Sequence, residues 1–179
     1  MKKLIFLDFD GVLNSVAWME GDVYKNKPRL HVDRLAWCLG KIDPAAVLRV
    51  NRIVRETDAY IVISSAWRSS TCPQGYAQYL GALLARHGLQ AHRKRVIGIT
   101  IDVTDIPKGR PGPQMLESER WTEIRHYLDS ATECDRFVVI DDDPVFGTPP
   151  DCFVRTDYNV GLTDEDADRA IAILNGGAL

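Results

Sequence analysis

Three polar clusters in this chain each follow directly on a short apolar run. Asp8-Phe9-Asp10-Gly11 follows the run ending at Leu7, Ser64-Ser65-Ala66-Trp67-Arg68 follows Tyr60 to Ile63, and Asp141-Asp142-Asp143-Pro144 follows Phe137 to Ile140. Two carboxylates two residues apart at a strand end, Asp8 and Asp10, can point to the same side. Like charges that close repel and need a cation to stay ionised together. A hard cation such as Mg2+ takes carboxylate and carbonyl oxygens together with those of a phosphate. Gly11 lets the chain turn sharply behind the pair. If the strands lie side by side, Asp142 and Asp141 join Asp8 and Asp10 in one cation site. Seen singly, the clusters also read as an Asx-type turn and a solvated acidic loop.

The serine cluster adds anion recognition. A hydroxyl at a strand end, from Ser64 or Ser65, and the backbone amides around it can donate to phosphoryl oxygens; the plainer reading is a serine-rich turn. Arg120, at the start of a helix before the acidic strand, can supply the positive charge that a phosphoryl transition state needs, or be a surface arginine. Trp67 and Arg68 adjoin the serines. They can stack on a base and grip a second phosphate, or be a packing tryptophan with a surface arginine. The run His92-Arg93-Lys94-Arg95 is either a solvated edge or a grip on a polyanion.

These residues need a scaffold that brings strand ends together. Buried strands are expected at 3–7, 60–63, 96–101, 137–140 and 152–154. Amphipathic helices are expected at 44–56, where Val47, Val50 and Val54 share a face, at 75–86, and at 119–129 with Trp121, Ile124 and Leu128 inward. Thr163 with Asp166 forms a capping box. It opens a last helix whose inner face is Ala167, Ala170, Ile171 and Leu174, stopped by Gly176. Apolar strands alternating with such helices imply an α/β fold, with a parallel sheet covered on both faces. Ligands of such sheets bind beyond the carboxyl ends of the strands, where Asp8, Ser64 and Asp141 begin their clusters.

The 179 residues suit one domain, 1–179, with a sizeable core. A net charge of −3 gives no bulk attraction to nucleic acid or anionic membrane. No apolar run is long enough to span a bilayer, and the first is too short for a signal-peptide core, so a cytoplasmic chain is expected. Cys38, Cys72, Cys134 and Cys152 show no C-x-x-C spacing and read as reduced structural thiols. Residues 15–43 have room for a small flap and 90–118 for a loop or hairpin, but neither gap holds a large cap domain. The sequence carries no signal for an oligomeric state.

The order D-F-D-G-V, I-V-I-S-S, a basic residue opening a helix, then V-V-I-D-D resembles the four motifs of the haloacid dehalogenase-like (HAD) hydrolase superfamily. Within it, D-F-D-G-V-L-N, S-S-A-W-R, R-W-T-E-I and G-L-T-D-E-D-A-D-R-A-I are similar to the HAD domains associated with RNA-repair proteins. The resemblance implies a Rossmann-like three-layer sandwich and a Mg2+-dependent phosphatase. It makes Asp8 the nucleophile, Asp10 the general acid and base, Ser64 the phosphate-binding hydroxyl with Ser65 beside it, and Asp142 a metal ligand supported by Asp141. Arg120 stands where the family usually has lysine, and Lys108 is a rival for that role. The second aspartate, Asp10, is kept by phosphatases and phosphomutases and lacking in dehalogenases. The implied partner is a phosphorylated small molecule or a nucleic-acid end, with a nucleotide or nucleic-acid end expected to be preferred; a sugar phosphate is also compatible. A non-catalytic phosphate-binding or scaffold domain, expected to have lost Asp8 or Asp10, is the alternative. A receiver-like signalling domain, whose acid pair is adjacent and whose last strand precedes a lysine, does not fit.

Overall fold

The first strand, β1 (Lys2–Leu7), alternates its side chains between two apolar layers. Ile5 and Leu7 face one, Leu4 and Phe6 the other, and all four are buried. This double burial is what a central parallel strand requires. The computed structural model describes residues 2–26, 40–68, 76–90, 92–106, 118–130 and 133–177. Around β1 it places β2 (Tyr60–Ile63), β3 (Val96–Ile99), β4 (Cys134–Asp141) and β5 (Phe153–Arg155) in the order β3-β2-β1-β4-β5, every neighbouring pair parallel.

Seven helices are named here among the described residues. Two short ones, α1 (Val16–Glu20) and α2 (Asp22–Lys25), follow β1. The larger apolar layer is closed by α3 (Pro44–Thr57), α4 (Tyr76–Arg86) and α7 (Asp164–Asn175), through Val47, Val50 and Ile53, Leu80, Leu83 and Leu84, and Ala167, Ala170 and Leu174. The opposite layer is closed by α6 (Glu119–Ser130), with Trp121 and Ile124 over Phe6, Val62 and Val139. The one-turn helix α5 (His92–Arg95) leads directly into β3. A Rossmann-like α/β sandwich results, as the alternation of elements required.

The structure adds the short helices α1, α2 and α5 to the elements expected from the sequence, and otherwise shifts element ends. β3 stops at Ile99, and β4 extends to Cys134 and Asp141. β5 begins at Phe153, after a 3-10 turn over Pro150–Cys152. The Thr163–Asp166 capping box is present, and Gly176 ends α7 at a φ of 79°. In α7, Ile173 is buried, whereas Ile171 is only partly covered. Arg95, at the end of the basic run, ion-pairs with Asp58 and lies over the Tyr60 ring, 5.0 Å from its centroid. Cys134 and Cys152 are free thiols. Cys38, Cys72, Lys108, Gly75 and parts of the expected flap (27–39) and loop (91 and 107–117) lie outside the described residues. Among the described residues, no helix is long and apolar enough to cross a membrane.

Candidate active site

The chain leaves β1 for β2 and β3 on one side, then crosses to β4 and β5 on the other. The reversal opens a crevice at the carboxyl ends of β1 and β4, where ligands bind in open α/β sheets. Backbone bonds keep the strand ends level there. The Asp8 N–H donates to Ile140 O (3.1 Å), Ser64 N–H to Leu7 O (2.9 Å) and Thr156 N–H to Asp141 O (3.1 Å). Asp8, Ser64 and Asp141 are thus brought together, as the strand-end reading anticipated.

Asp8, Asp141 and Asp142 each offer a carboxylate oxygen within 4.8 Å of the others. The Asp8 Oδ1 is buried with no hydrogen-bond partner among the described residues. Burial first, then the Asp10 charge, pushes the Asp8 carboxyl up from 3.8 to about 6, against the opposing pull of Arg120, the Ser65 hydroxyl and the Phe9 backbone. Burial and the adjacent Asp8 push Asp141 from 3.8 to about 8. Burial and Asp143 raise Asp142 as well. An oxygen-only acidic set, buried at Asp8 and Asp141 and half-buried at Asp142, with an orphaned lone pair fits a hard divalent cation.

Gly11 makes this convergence possible. Its φ is +66°, and a Cβ there would lie 2.3 Å from Asp142 Cγ. The turn is fixed by Gly11 N–H donating to Asn14 Oδ1 (3.0 Å) and Thr156 Oγ1 donating to Gly11 O (2.8 Å).

Arg120, one residue into α6, reaches back over the acids. Its Nε lies 3.4 Å from Asp141 Oδ2, Nη2 3.7 Å from Asp8 Oδ1, and Nη1 3.6 Å from Glu123 Oε2. Glu123 in turn ion-pairs with Arg68 and accepts from Val103 N–H at 3.0 Å. Arg68 is therefore buried in an ion pair and also donates to Ser65 O (3.2 Å); its guanidinium is not presented to solvent.

The two serines face different ways. The Ser65 hydroxyl lies close enough to the Asp8 carboxyl to oppose its upward shift and accepts from Trp67 N–H at 3.3 Å, whereas Ser64 Oγ accepts from Thr100 Oγ1 at 3.4 Å. Asp10 stands apart from the three-carboxylate group. Its Oδ1 accepts from Asn14 Nδ2 and its Oδ2 from Trp67 Nε1, both at 2.8 Å. Trp67 packs edge-on against Phe9, ring centroids 5.1 Å apart. A cavity of about 880 Å3 opens over Asp8, Asp10, Arg120 and Asp142, and is walled on its far side by Arg155 and Tyr158.

Asn14, Glu123, Arg155 and Tyr158 were not singled out from the sequence. Glu123 had a signal, since residues three apart share a helix face and Arg120 was already a candidate. Arg155 and Tyr158 follow the expected fifth strand, so the strand-end rule applied there reaches them. Asn14 is a lone amide after an apolar pair, a weak signal.

Residues 4–167 match the family described as the HAD domain in Swiss Army Knife RNA repair proteins. The chain belongs to this family. No curated protein and no solved structure matches it. Membership, with the carboxylate cluster, supports HAD-type hydrolase chemistry in general terms.

Proposed function

We propose that the chain is a Mg2+-dependent phosphomonoesterase that forms an aspartyl-phosphate on Asp8. The observation that carries this reading is the convergence of Asp8, Asp141 and Asp142 beneath Arg120, with Asp10 held beside them. The cation would be held by Asp8, Asp142 and Asp141, with the Asp10 backbone carbonyl as a further ligand. When bound, it supplies charge neutralisation between the acids and the incoming anion.

The protein's own groups then have separate tasks. Asp8 attacks phosphorus, and the bond to the leaving oxygen breaks as Asp10 passes its proton to that oxygen. Asp10, now ionised, takes a proton from a water that attacks the acyl phosphate. Phosphate departs, and Asp8 and Asp10 return to their starting states. Arg120 and the serine hydroxyls, with nearby backbone amides, stabilise charge on the equatorial oxygens. Ser65 is the hydroxyl close to Asp8; Ser64 acts from behind it. Lys108 remains the rival of Arg120.

The substrate proposed is a nucleotide or a nucleic-acid end. The family's description as RNA-repair domains supports it, as does the open cavity with Tyr158 about half exposed and Arg155 beside it. Trp67 and Arg68 were the expected base and phosphate contacts. Their engagement with Asp10 and Glu123 favours Tyr158 and Arg155 for that task. A screen with Mg2+ over mononucleotides, end-phosphorylated oligonucleotides and sugar phosphates tests the proposal. Turnover of the first two classes is expected. Absence of all turnover refutes the enzyme reading, and preference for sugar phosphates refutes the substrate.

A further inference from the structure

We infer that Trp67 and Asn14 are positioning residues that hold the Asp10 carboxylate out of the cation site and aim it at the leaving oxygen. The inference rests on the phosphatase reading above and assigns to Trp67 a part in proton transfer.

An indole N–H can only donate. That of Trp67 meets Asp10 Oδ2 at 2.8 Å, and the Phe9 ring fixes the plane of the indole. The other oxygen, Oδ1, is taken at 2.8 Å by the Asn14 amide nitrogen. Asn14 is buried, and its own amide oxygen accepts from Gly11 N–H, so its amide cannot flip without losing both bonds. The Asp10 carboxylate is thus gripped at both oxygens by two neutral donors.

The consequence follows from what surrounds it. Asp8, Asp141 and Asp142 can place one ligand oxygen each within 4.8 Å of the others, and Asp10 does not join them, although it lines the same cavity. A free carboxylate beside a hard cation binds it. Bound, its lone pairs are no longer available for proton transfer. Neutral donors orient Asp10 without pairing its charge, as a cationic partner would. The grip also joins two neighbouring strands. Trp67 follows β2 and Asn14 follows β1, and the register Leu7↔Ile63 sets the two side by side.

The test uses aryl phosphates of one shape and different leaving-group basicity. Nitrophenolate departs without a proton, whereas phenolate needs one more. The ratio of kcat/KM on p-nitrophenyl phosphate to that on phenyl phosphate therefore reports general-acid help, and kcat/KM is read because it covers the first chemical step. Trp67→Phe keeps the ring packing and deletes only the N–H. General-acid help is worth about 100- to 10,000-fold in full, and losing one of two tethers should raise the ratio by about fivefold or more. Asn14→Ala should raise it likewise, with circular dichroism confirming the fold of each variant. Asp10→Asn is the reference for complete loss. If Asp10→Asn raises the ratio and both tether variants leave it at the wild-type value, Trp67 and Asn14 do no more than pack, and the inference is overturned. If Asp10→Asn itself leaves the ratio unchanged in an active enzyme, Asp10 is not the acid, and the inference falls with that part of the reading.

Discussion

Gly11→Ala should weaken cation binding without replacing a cation ligand. A Cβ at Gly11 would lie 2.3 Å from Asp142 Cγ and 2.6 Å from both Asp142 Cβ and Oδ2. Carbon atoms approach comfortably to about 3.5 Å, so Asp142 must retreat by roughly 1 Å. Mg2+ demands ligand distances near about 2.0–2.1 Å and near-ideal octahedral geometry, and a retreat of that size removes the ligand. Independently, an alanine at φ +66° costs about 1–2 kcal/mol of backbone strain. Two effects should therefore appear. The metal-free variant should have a lower urea midpoint. Its Mg2+ affinity, by calorimetry and by titration of turnover, should fall at least about tenfold, or about 1.4 kcal/mol. Asp142→Ala should weaken Mg2+ similarly without the strain at Gly11. The double variant isolates the cause: if Gly11 acts through Asp142, adding Gly11→Ala to Asp142→Ala weakens Mg2+ no further. Wild-type Mg2+ affinity in Gly11→Ala, or full additivity in the double variant, would refute the reasoning.

Asp8→Asn should abolish turnover while the thermal melt remains cooperative, because an amide cannot form the acyl phosphate; wild-type-like turnover by the folded variant excludes the covalent route. The pH dependence of stability has a definite sign. Asp8 and Asp141 hold their protons more tightly when folded, with values of about 6 and 8 against an ordinary 3.8. Their contribution is therefore fully present below about pH 4 and is lost as pH rises toward 8. Metal-free protein should lose melting temperature from pH 5 to 8.5, Mg2+ should restore more of it at pH 8.5 than at pH 5.5, and Asp141→Asn should flatten the slope. Tyr158→Ala should raise KM for nucleotides about 5- to 100-fold if its ring stacks on the base, and should affect a baseless substrate such as glycerol phosphate less; equal losses would remove that role.

The sheet was legible because its strands are buried on both faces, so that runs such as Leu4–Leu7 and Val138–Ile140 are apolar throughout rather than alternating. The strand-end rule then found Asp8, Ser64, Ser65, Asp141 and Asp142, because backbone register alone brings them together. What escaped depends on side-chain direction. In α7, Ile171 was placed inward and Ile173 overlooked. Successive helical residues are about 100° apart, which sets both Ile171 and Ile173 on the rims of the stripe formed by Ala167, Ala170 and Leu174, on opposite sides of it, so helical spacing alone does not tell which of the two is buried. Trp67 and Arg68 were correctly seen as adjacent to the serines, but the 3-10 turn Ala66–Arg68 sends one toward Asp10 and the other toward Glu123. No periodicity encodes that divergence.

Charge balance explains why these acids are tolerated at all. The inner site holds Asp8, Asp10, Asp141, Asp142 and Glu123 against Arg68 and Arg120. The carboxylates outnumber the guanidiniums, so an excess of negative charge remains if all are ionised. Buried charge without a partner is costly, and a site can escape by taking up protons or by taking up a cation. The raised carboxyls of Asp8 and Asp141 are the first escape. A divalent cation is the second, and it alone leaves Asp8 ionised, as the proposed nucleophile must be. Arg120 cannot serve in its place, because Glu123 already draws on it from the other side. A phosphate dianion entering before the cation would meet the full excess of negative charge. The arrangement therefore favours an order in which the cation arrives first and the substrate second.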